Sequence, residues 1–277
     1  MVDSSQTEIL QRIEAALTTA RGVFERFTPG AIEAEYKAGH DPVTEADREV
    51  DAVLRTQLLR DGEGWLSEES ADDLSRLEKR RVWVVDPLDG TREFVAGIPE
   101  FCVSVALVED GRAVAGGICN PATNETFVGS LATGLLYNGK PARTSQRKSL
   151  EGAVVLASRS EVKRSEWKPF EAAMFKVQPM GSVAYKLARV AAGLADLTFT
   201  LTPKHEWDVA AGAALVESGG GFVSKLECVP LLCNQRNPLI TGLIAGGPFL
   251  REPLFAAIDS HVQLAMQKAA SAPTHAR

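Results

Sequence analysis

Apolar residues recur at helical spacing at Ile9, Ile13, Ala16, Leu17, Ala20 and Phe24, which predicts an amphipathic helix ending near Thr28-Pro29-Gly30. Its apolar stripe needs a sheet to cover. Val50, Val53, Leu54 and Leu58 repeat the pattern in a second helix from about Thr44 to Leu59, with a short strand at Ile32 to Tyr36 between the two. Apolar runs at Val82 to Asp86, Cys102 to Val108, Ala113 to Ile118, Glu125 to Val128 and Leu135 to Tyr137 then predict a sheet that is largely antiparallel. Glu109-Asp110-Gly111 is a strong hairpin signal. Beyond the polar stretch Arg147-Lys148-Ser149 the periods alternate: a strand at Val154 to Ala157, a helix at Ser182 to Ala192, a strand at Leu197 to Leu201 and a helix at Val209 to Glu217. Gly219-Gly220-Gly221 reads as a helix-to-strand turn, because it lacks the strand-first context of a dinucleotide fingerprint. A last helix is expected over about Phe249 to Lys268, before a frayed tail at Ala272 to Arg277. The expected class is α/β (α+β), in two units: 1–147, an α+β unit carrying the metal-binding and catalytic groups, and 148–277, an α/β unit that completes the site.

Composition narrows the function classes. With 45% apolar and 24% charged residues among 277, the chain can bury a sizeable core. A net charge of −6 without a long Lys/Arg block argues against a nucleic-acid polymer or an acidic membrane surface as partner. Cys102, Cys119, Cys228 and Cys233 show no Cys-x-x-Cys spacing and read mostly as core residues of a reduced protein. Residues 1–11 lack the basic-then-apolar order of a signal peptide, and no run reaches the roughly 18 apolar residues of a membrane span, so a cytoplasmic location is expected.

The chemistry concentrates in Asp86-Pro87-Leu88-Asp89-Gly90-Thr91, where an apolar run ends in two carboxylates, a glycine and a hydroxyl. Two such carboxylates repel each other unless a cation separates them, and Mg²⁺ takes hard oxygen ligands. The amides of Gly90 and Thr91 at a helix start suit a phosphate, although Asp89 or Thr91 as simple helix caps would look the same. Glu68-Glu69-Ser70 follows the short strand Gly64-Trp65-Leu66-Ser67 and reads either as a solvated acidic loop or as further ligands. Thr44-Glu45-Ala46-Asp47 fits a capping box, and an acid fixed there can also take a proton from a neighbouring hydroxyl. Asp208, in Glu206-Trp207-Asp208, is favoured by the helix dipole whether or not it binds a ligand.

Taken in order, Glu68-Glu69-Ser70, Asp86-Pro87-Leu88-Asp89-Gly90-Thr91 and Trp207-Asp208-Val209-Ala210-Ala211-Gly212 resemble the three signatures of the inositol monophosphatase superfamily, over nearly the whole chain. The resemblance implies a layered αβαβα sandwich and Mg²⁺-dependent, lithium-sensitive hydrolysis of a small phosphomonoester, with two or three ions per site. It implies that Glu68, Asp86, the Leu88 carbonyl, Asp89 and Asp208 bind metal, with Glu69 an outer acid. Gly90 and Thr91 would hold phosphate, while Thr91 and Asp47 orient and deprotonate the attacking water. No covalent nucleophile is needed, and the two residues between Asp86 and Asp89 set the chain apart from aspartyl-phosphate phosphatases with Asp-x-Asp-Gly-Thr. Leu201 stands where inositol-specific members carry a sugar-binding glutamate. Arg92-Glu93-Phe94, Ala157-Ser158-Arg159-Ser160, Gly181-Ser182 with Lys186, and Glu206 are more similar to the 3′(2′),5′-bisphosphate nucleotidases, with Arg159, Ser182 and Lys186 as substrate contacts. Asn120 to Phe127 resembles the inositol-type hairpin, so inositol monophosphatase is the alternative. A sugar or histidinol phosphate phosphatase and a catalytically silent phosphometabolite sensor rank lower; a homodimer is compatible with all of these.

Overall fold

The computed structural model describes residues 4–36, 42–170, 174–259 and 261. The end of the expected last helix and the tail lie outside the described residues. Helix α1 (Ser4–Phe24) buries Ile9, Ile13, Ala16, Leu17, Ala20 and Phe24, and α2 (Glu45–Leu58) buries Val50, Leu54 and Leu58 against it. Both cover one face of a seven-stranded sheet. Its strands follow chain order: β1 (Gly64–Ser67), β2 (Arg81–Asp89), β3 (Cys102–Glu109), β4 (Arg112–Asn120), β5 (Glu125–Ser130), β6 (Gly134–Tyr137) and β7 (Lys140–Ala142). β1 runs parallel to β2, and every later neighbour is antiparallel. The predicted turn between β3 and β4 forms with Asp110 at φ +50° and Gly111 at φ +80°, the two left-handed positions that a two-residue hairpin turn of matching twist requires.

Strand periodicity decides which layer each side chain meets. Trp83 and Val85 face α1 and α2, whereas Val82 and Val84 face the opposite layer. That layer holds α5 (Val183–Ala191) and α6 (Glu206–Ser218), which lie between the first sheet and a second, five-stranded one. The second sheet contains β8 (Val154–Ser158), β9 (Lys176–Met180), β10 (Leu197–Thr200), β11 (Phe222–Lys225) and β12 (Leu243–Gly246), in the order β9-β8-β10-β12-β11. Residues 251–259 form a helix, α7, whose Leu254 and Ile258 cover its outer face with Trp167, Phe170 and Phe199. The layers are therefore αβαβα, as the resemblance implied. α6 is buried almost all round from Val209 to Val216, which its small side chains permit; a Cβ on Gly116 would sit 2.7 Å from the Ala211 carbonyl.

The expected strand at Ile32 to Tyr36 shrinks to Glu35–Tyr36, paired antiparallel with Pro42–Val43. Two strands of the second sheet carried too weak a pattern to foresee. β9 contains Pro179 and has exposed positions at an edge, and β12 is four residues long. Among the described residues no helix is long and apolar enough to cross a membrane.

Candidate active site

Asp86 and Asp89 lie three residues apart on one strand, an odd spacing that would send their side chains to opposite faces. A bulge corrects this. Asp86 pairs with Ser104 and Asp89 with Cys102, so three steps on β2 oppose two on β3, and both carboxylates emerge toward α5 and α6. Pro87 gives up no ladder hydrogen bond there, Leu88 turns back into the core under α1 and α2, and the Leu88 amide donates to Asp86 Oδ1 at 3.0 Å. Gly90 follows at φ +97°, where a Cβ would meet the Glu100 carbonyl at 2.8 Å, and helix α3 (Thr91–Val95) begins at once.

Glu68 arrives from the end of β1, its amide donating to the Val85 carbonyl at 3.3 Å. Asp208 arrives from the first turn of α6, where its Oδ2 accepts from the His205 amide at 2.9 Å. Glu68, Asp86 and Asp208 each bring a carboxylate oxygen within 4.8 Å of the others. Burial, with the charges of Glu68, Asp89 and Asp208, pushes the Asp86 carboxyl well above its usual range, and burial with Asp89 and Glu68 does the same to Asp208. Three converging oxygens that resist ionising together fit a hard divalent cation. Asp89 adds its charge from beside this group, but its Oδ2 accepts from Ser182 Oγ at 2.7 Å and from the Ala184 amide at 2.5 Å, tying β2 to the start of α5. Burial raises its pKa while those hydrogen bonds and Lys186 oppose the rise.

Asp47 sits at the third position of α2. Its Oδ2 accepts from the Thr44 amide at 2.7 Å and the Thr44 hydroxyl at 2.6 Å, while Oδ1 lies 3.2 Å from Thr91 Oγ1. Burial raises its pKa against those bonds, and Glu69 adds to the rise. Thr91 Oγ1 is also 2.9 Å from the Leu88 carbonyl, so one hydroxyl proton has two acceptors.

Glu68, Asp86, Asp89, Asp208 and Thr91 line a cavity of about 380 Å³, and Asp47 reaches it through Thr91. A larger depression of about 700 Å³ lies elsewhere, lined by Phe222, Leu232 and a single acid, Glu217, that pairs with Arg112. The residues expected to grip a substrate, Arg159, Ser182 and Lys186, all line this cavity, each with a partner inside the protein. Arg159 lines the cavity, but its guanidinium pairs with Glu100 Oε2 at 2.5 Å, a carboxylate that also accepts from the Gly181 amide at 2.7 Å. The Ser182 hydroxyl is committed to Asp89 and to the Tyr185 amide. Buried Lys186 donates to the Ser182 carbonyl at 2.8 Å, and desolvation lowers its pKa. Leu201 does not face the cavity; it packs against the core under α7. Glu206 is also turned away, its two oxygens accepting from the Asn234 and Gln235 amides at 2.6 and 2.9 Å. Four residues to which the sequence reading gave no role complete the wall: Glu93, Lys204, His205 and Trp207. Trp207 opens the third signature quoted from the sequence, and only the short spacing from Asp208 could have marked Lys204 and His205.

The family model for the inositol monophosphatase family matches residues 5–263. An inositol-1-monophosphatase of Mesorhizobium japonicum is 32% identical over 257 residues, covering 89% of this chain and 94% of that protein. The Nus factor SuhB of Escherichia coli is 31% identical over 253 residues, 87% of this chain and 91% of its own. Among solved structures, the inositol monophosphatase from Anabaena superposes with a TM-score of 0.78 at 26% identity, covering 93% of this chain and 97% of that one. The extragenic suppressor protein suhB from Bartonella henselae gives 0.77 at 30%, covering 91% and 98%. With the layered fold and the acidic cluster in agreement with these matches, the chain belongs to the inositol monophosphatase family of phosphomonoester hydrolases.

Proposed function

We propose that this protein is a Mg²⁺-dependent phosphomonoesterase acting on a small phosphorylated metabolite. The observation that carries the reading is the convergence of Glu68, Asp86 and Asp208 at one end of a cavity that Thr91 also lines. Glu68, Asp86, Asp208 and Asp89 would hold the metal, which when bound supplies charge neutralisation at the phosphoryl group and a more acidic water. The protein's own part is positioning and proton transfer. Thr91 Oγ1 has Asp47 Oδ1 at 3.2 Å, so a water that gives a proton to the hydroxyl oxygen passes one on to a carboxylate whose pKa burial has raised. Gly90 and Thr91 line the same cavity at the start of α3, and their amides are suited to hold the phosphate. Residues 1–147 thereby provide the metal-binding loop, the bulged strand and the base, and residues 148–277 provide Asp208 and the far wall.

The leading substrate class is a 3′(2′),5′-bisphosphate nucleotide. It is supported by Arg159 and Lys204, cations of the wall each held by one carboxylate with which a phosphate dianion can compete. Inositol 1-phosphate is the second reading, favoured by the relative named as an inositol-1-monophosphatase. A phosphate-release panel with 3′-phosphoadenosine 5′-phosphate, inositol 1-phosphate, fructose 1,6-bisphosphate and histidinol phosphate tests both levels. We expect release that needs Mg²⁺, stops in excess EDTA and is abolished by Asp86→Asn, with at least about tenfold higher kcat/KM for the nucleotide. Undiminished turnover in EDTA would overturn the metal reading; equal or better use of inositol 1-phosphate would overturn only the nucleotide choice.

A further inference from the structure

Beside the acidic cluster, His205 and Trp207 stack with ring centroids 4.5 Å apart and planes 10° from parallel, and both line the cavity. Trp207 is half-buried against the core between the sheets, whereas His205 is exposed, so the imidazole is the outer layer of the pair. The pair is also held in place. The His205 amide donates to Asp208 Oδ2, and Lys204–His205 pairs antiparallel with Leu239–Ile240. An aromatic step on an anchored backbone therefore lines the cavity, with Trp207 one residue from a carboxylate of the cluster. Aromatic pairs take a further ring at stacking distance, and base-on-aromatic stacking is a recurring way to bind a nucleotide without reading its hydrogen-bonding edge.

We infer that the His205–Trp207 pair is a stacking subsite for the planar heteroaromatic ring of the substrate, a nucleobase, which becomes the third layer on the imidazole while the phosphate lies at the acids. A bare polyol ring offers no flat π-face and would gain little there. The inference rests on the phosphatase reading of the cavity and deepens it by naming what the non-reacting part of the substrate touches. His205 is thereby a specificity residue, acting on the ring and not on phosphorus.

The test is calorimetric titration of the full chain with Mg²⁺ present, using AMP, ribose 5-phosphate, which keeps the phosphate and lacks the base, and histidinol phosphate, whose ring is smaller. We expect AMP to bind at least about tenfold more tightly than ribose 5-phosphate, the range of one base stack. His205→Ala should bring that ratio close to one, and His205→Phe should retain it, because a phenyl ring stacks without the imidazole's hydrogen bonds or charge. Equal affinity for AMP and ribose 5-phosphate in the unaltered protein overturns the subsite, and this arm needs no variant. Loss of the ratio in His205→Phe as complete as in His205→Ala also overturns stacking, in favour of a polar contact. Histidinol phosphate binding as tightly as AMP overturns the choice of a nucleobase. The two readings fail separately: Mg²⁺-dependent phosphate release without base discrimination removes the subsite alone, and base discrimination without release from any phosphomonoester removes the phosphatase reading alone.

Discussion

Asp47 and Asp208 each divide their work between a helix start and a partner at the site. Asp47 Oδ2 serves Thr44 while Oδ1 faces Thr91, and Asp208 Oδ2 serves the His205 amide while the side chain also joins Glu68 and Asp86. In the sequence the capping and chemical readings stood as alternatives; in the fold they are compatible, because the cap fixes the rotamer that aims the other oxygen. This sets up a separable outcome. Thr91→Ala should lower kcat by about 10²–10⁴ with little change in KM or Tm, since beyond the link to the base it removes a single contact, to the Leu88 carbonyl. Asp47→Asn leaves one acceptor oxygen for three donors, the Thr44 amide, the Thr44 hydroxyl and the Thr91 hydroxyl, so it should show the same loss of kcat and in addition cost about 1 kcal/mol of stability. Steady-state kinetics beside thermal melts decide the matter: a lower Tm with unchanged kcat in Asp47→Asn would reduce Asp47 to a cap. The acids were legible because charge at the end of an apolar run is conspicuous. Arg159, Ser182 and Lys186 line the cavity as expected, but their partners Glu100, Asp89 and the Ser182 carbonyl were not legible, because contacts across layers or along a helix are reported by no local pattern.

Among the elements, the informative device is the bulge in β2, which lets Asp-x-x-Asp place both carboxylates on one face. The strand itself was readable from its apolar run, but its register against β3 was not, because one extra residue leaves no trace in periodicity. Helix α4 (Arg159–Lys163) shows a different device. Its buried Glu161 accepts from Thr200 Oγ1 and Thr202 Oγ1, both at 2.6 Å, from Trp167 Nε1 at 3.2 Å, and lies 3.2 Å from Lys204 Nζ. Burial alone would raise the Glu161 pKa, yet Lys204 and the three donors more than offset it, and the net shift is downward from 4.5. A carboxyl held below its unfolded value binds fewer protons in the native state. Its stabilisation is therefore present above the unfolded pKa and is lost as pH falls through the folded one. We expect Glu161→Gln to lower Tm at neutral pH, and the gap from the unaltered protein to close as pH drops below about 4.5. Melts across that range check it, and a gap that does not change with pH would mean that packing, not charge, ties α4 to the loop carrying Lys204.

Across the whole molecule the site lies on a seam. Glu68 and Asp86 belong to the first sheet and Asp208 to a helix of the middle layer, so their separation depends on how the layers are fastened. One fastening is the nearly inaccessible Arg76, on the same loop as Glu68. Its guanidinium donates to Asp72 Oδ2 at 2.9 Å, to Asn234 Oδ1 at 2.6 Å and to the Gln235 carbonyl at 2.9 Å, and the Asn234 and Gln235 amides in turn hold Glu206, two residues before Asp208. The charge pattern of residues 68–80 gave no hint of this, because arginines in loops are usually solvated and the partner loop is 158 residues away. Arg76→Ala would leave Asp72 without its cation and Asn234 Oδ1 and the Gln235 carbonyl without donors. It should cost about 1–3 kcal/mol, the usual result of leaving polar acceptors without their donors, since Asp72 itself stays accessible to water. It should also weaken metal binding, since the loop that presents Glu68 is no longer tied to the start of α6. Arg76→Lys, a point donor in place of a planar fork, should restore only part of either loss. The measurement is the Mg²⁺ concentration that half-maximally raises Tm in each variant. A lower Tm with that midpoint unchanged would make the clamp purely structural and leave the cluster's geometry to the bulge and the two helix starts.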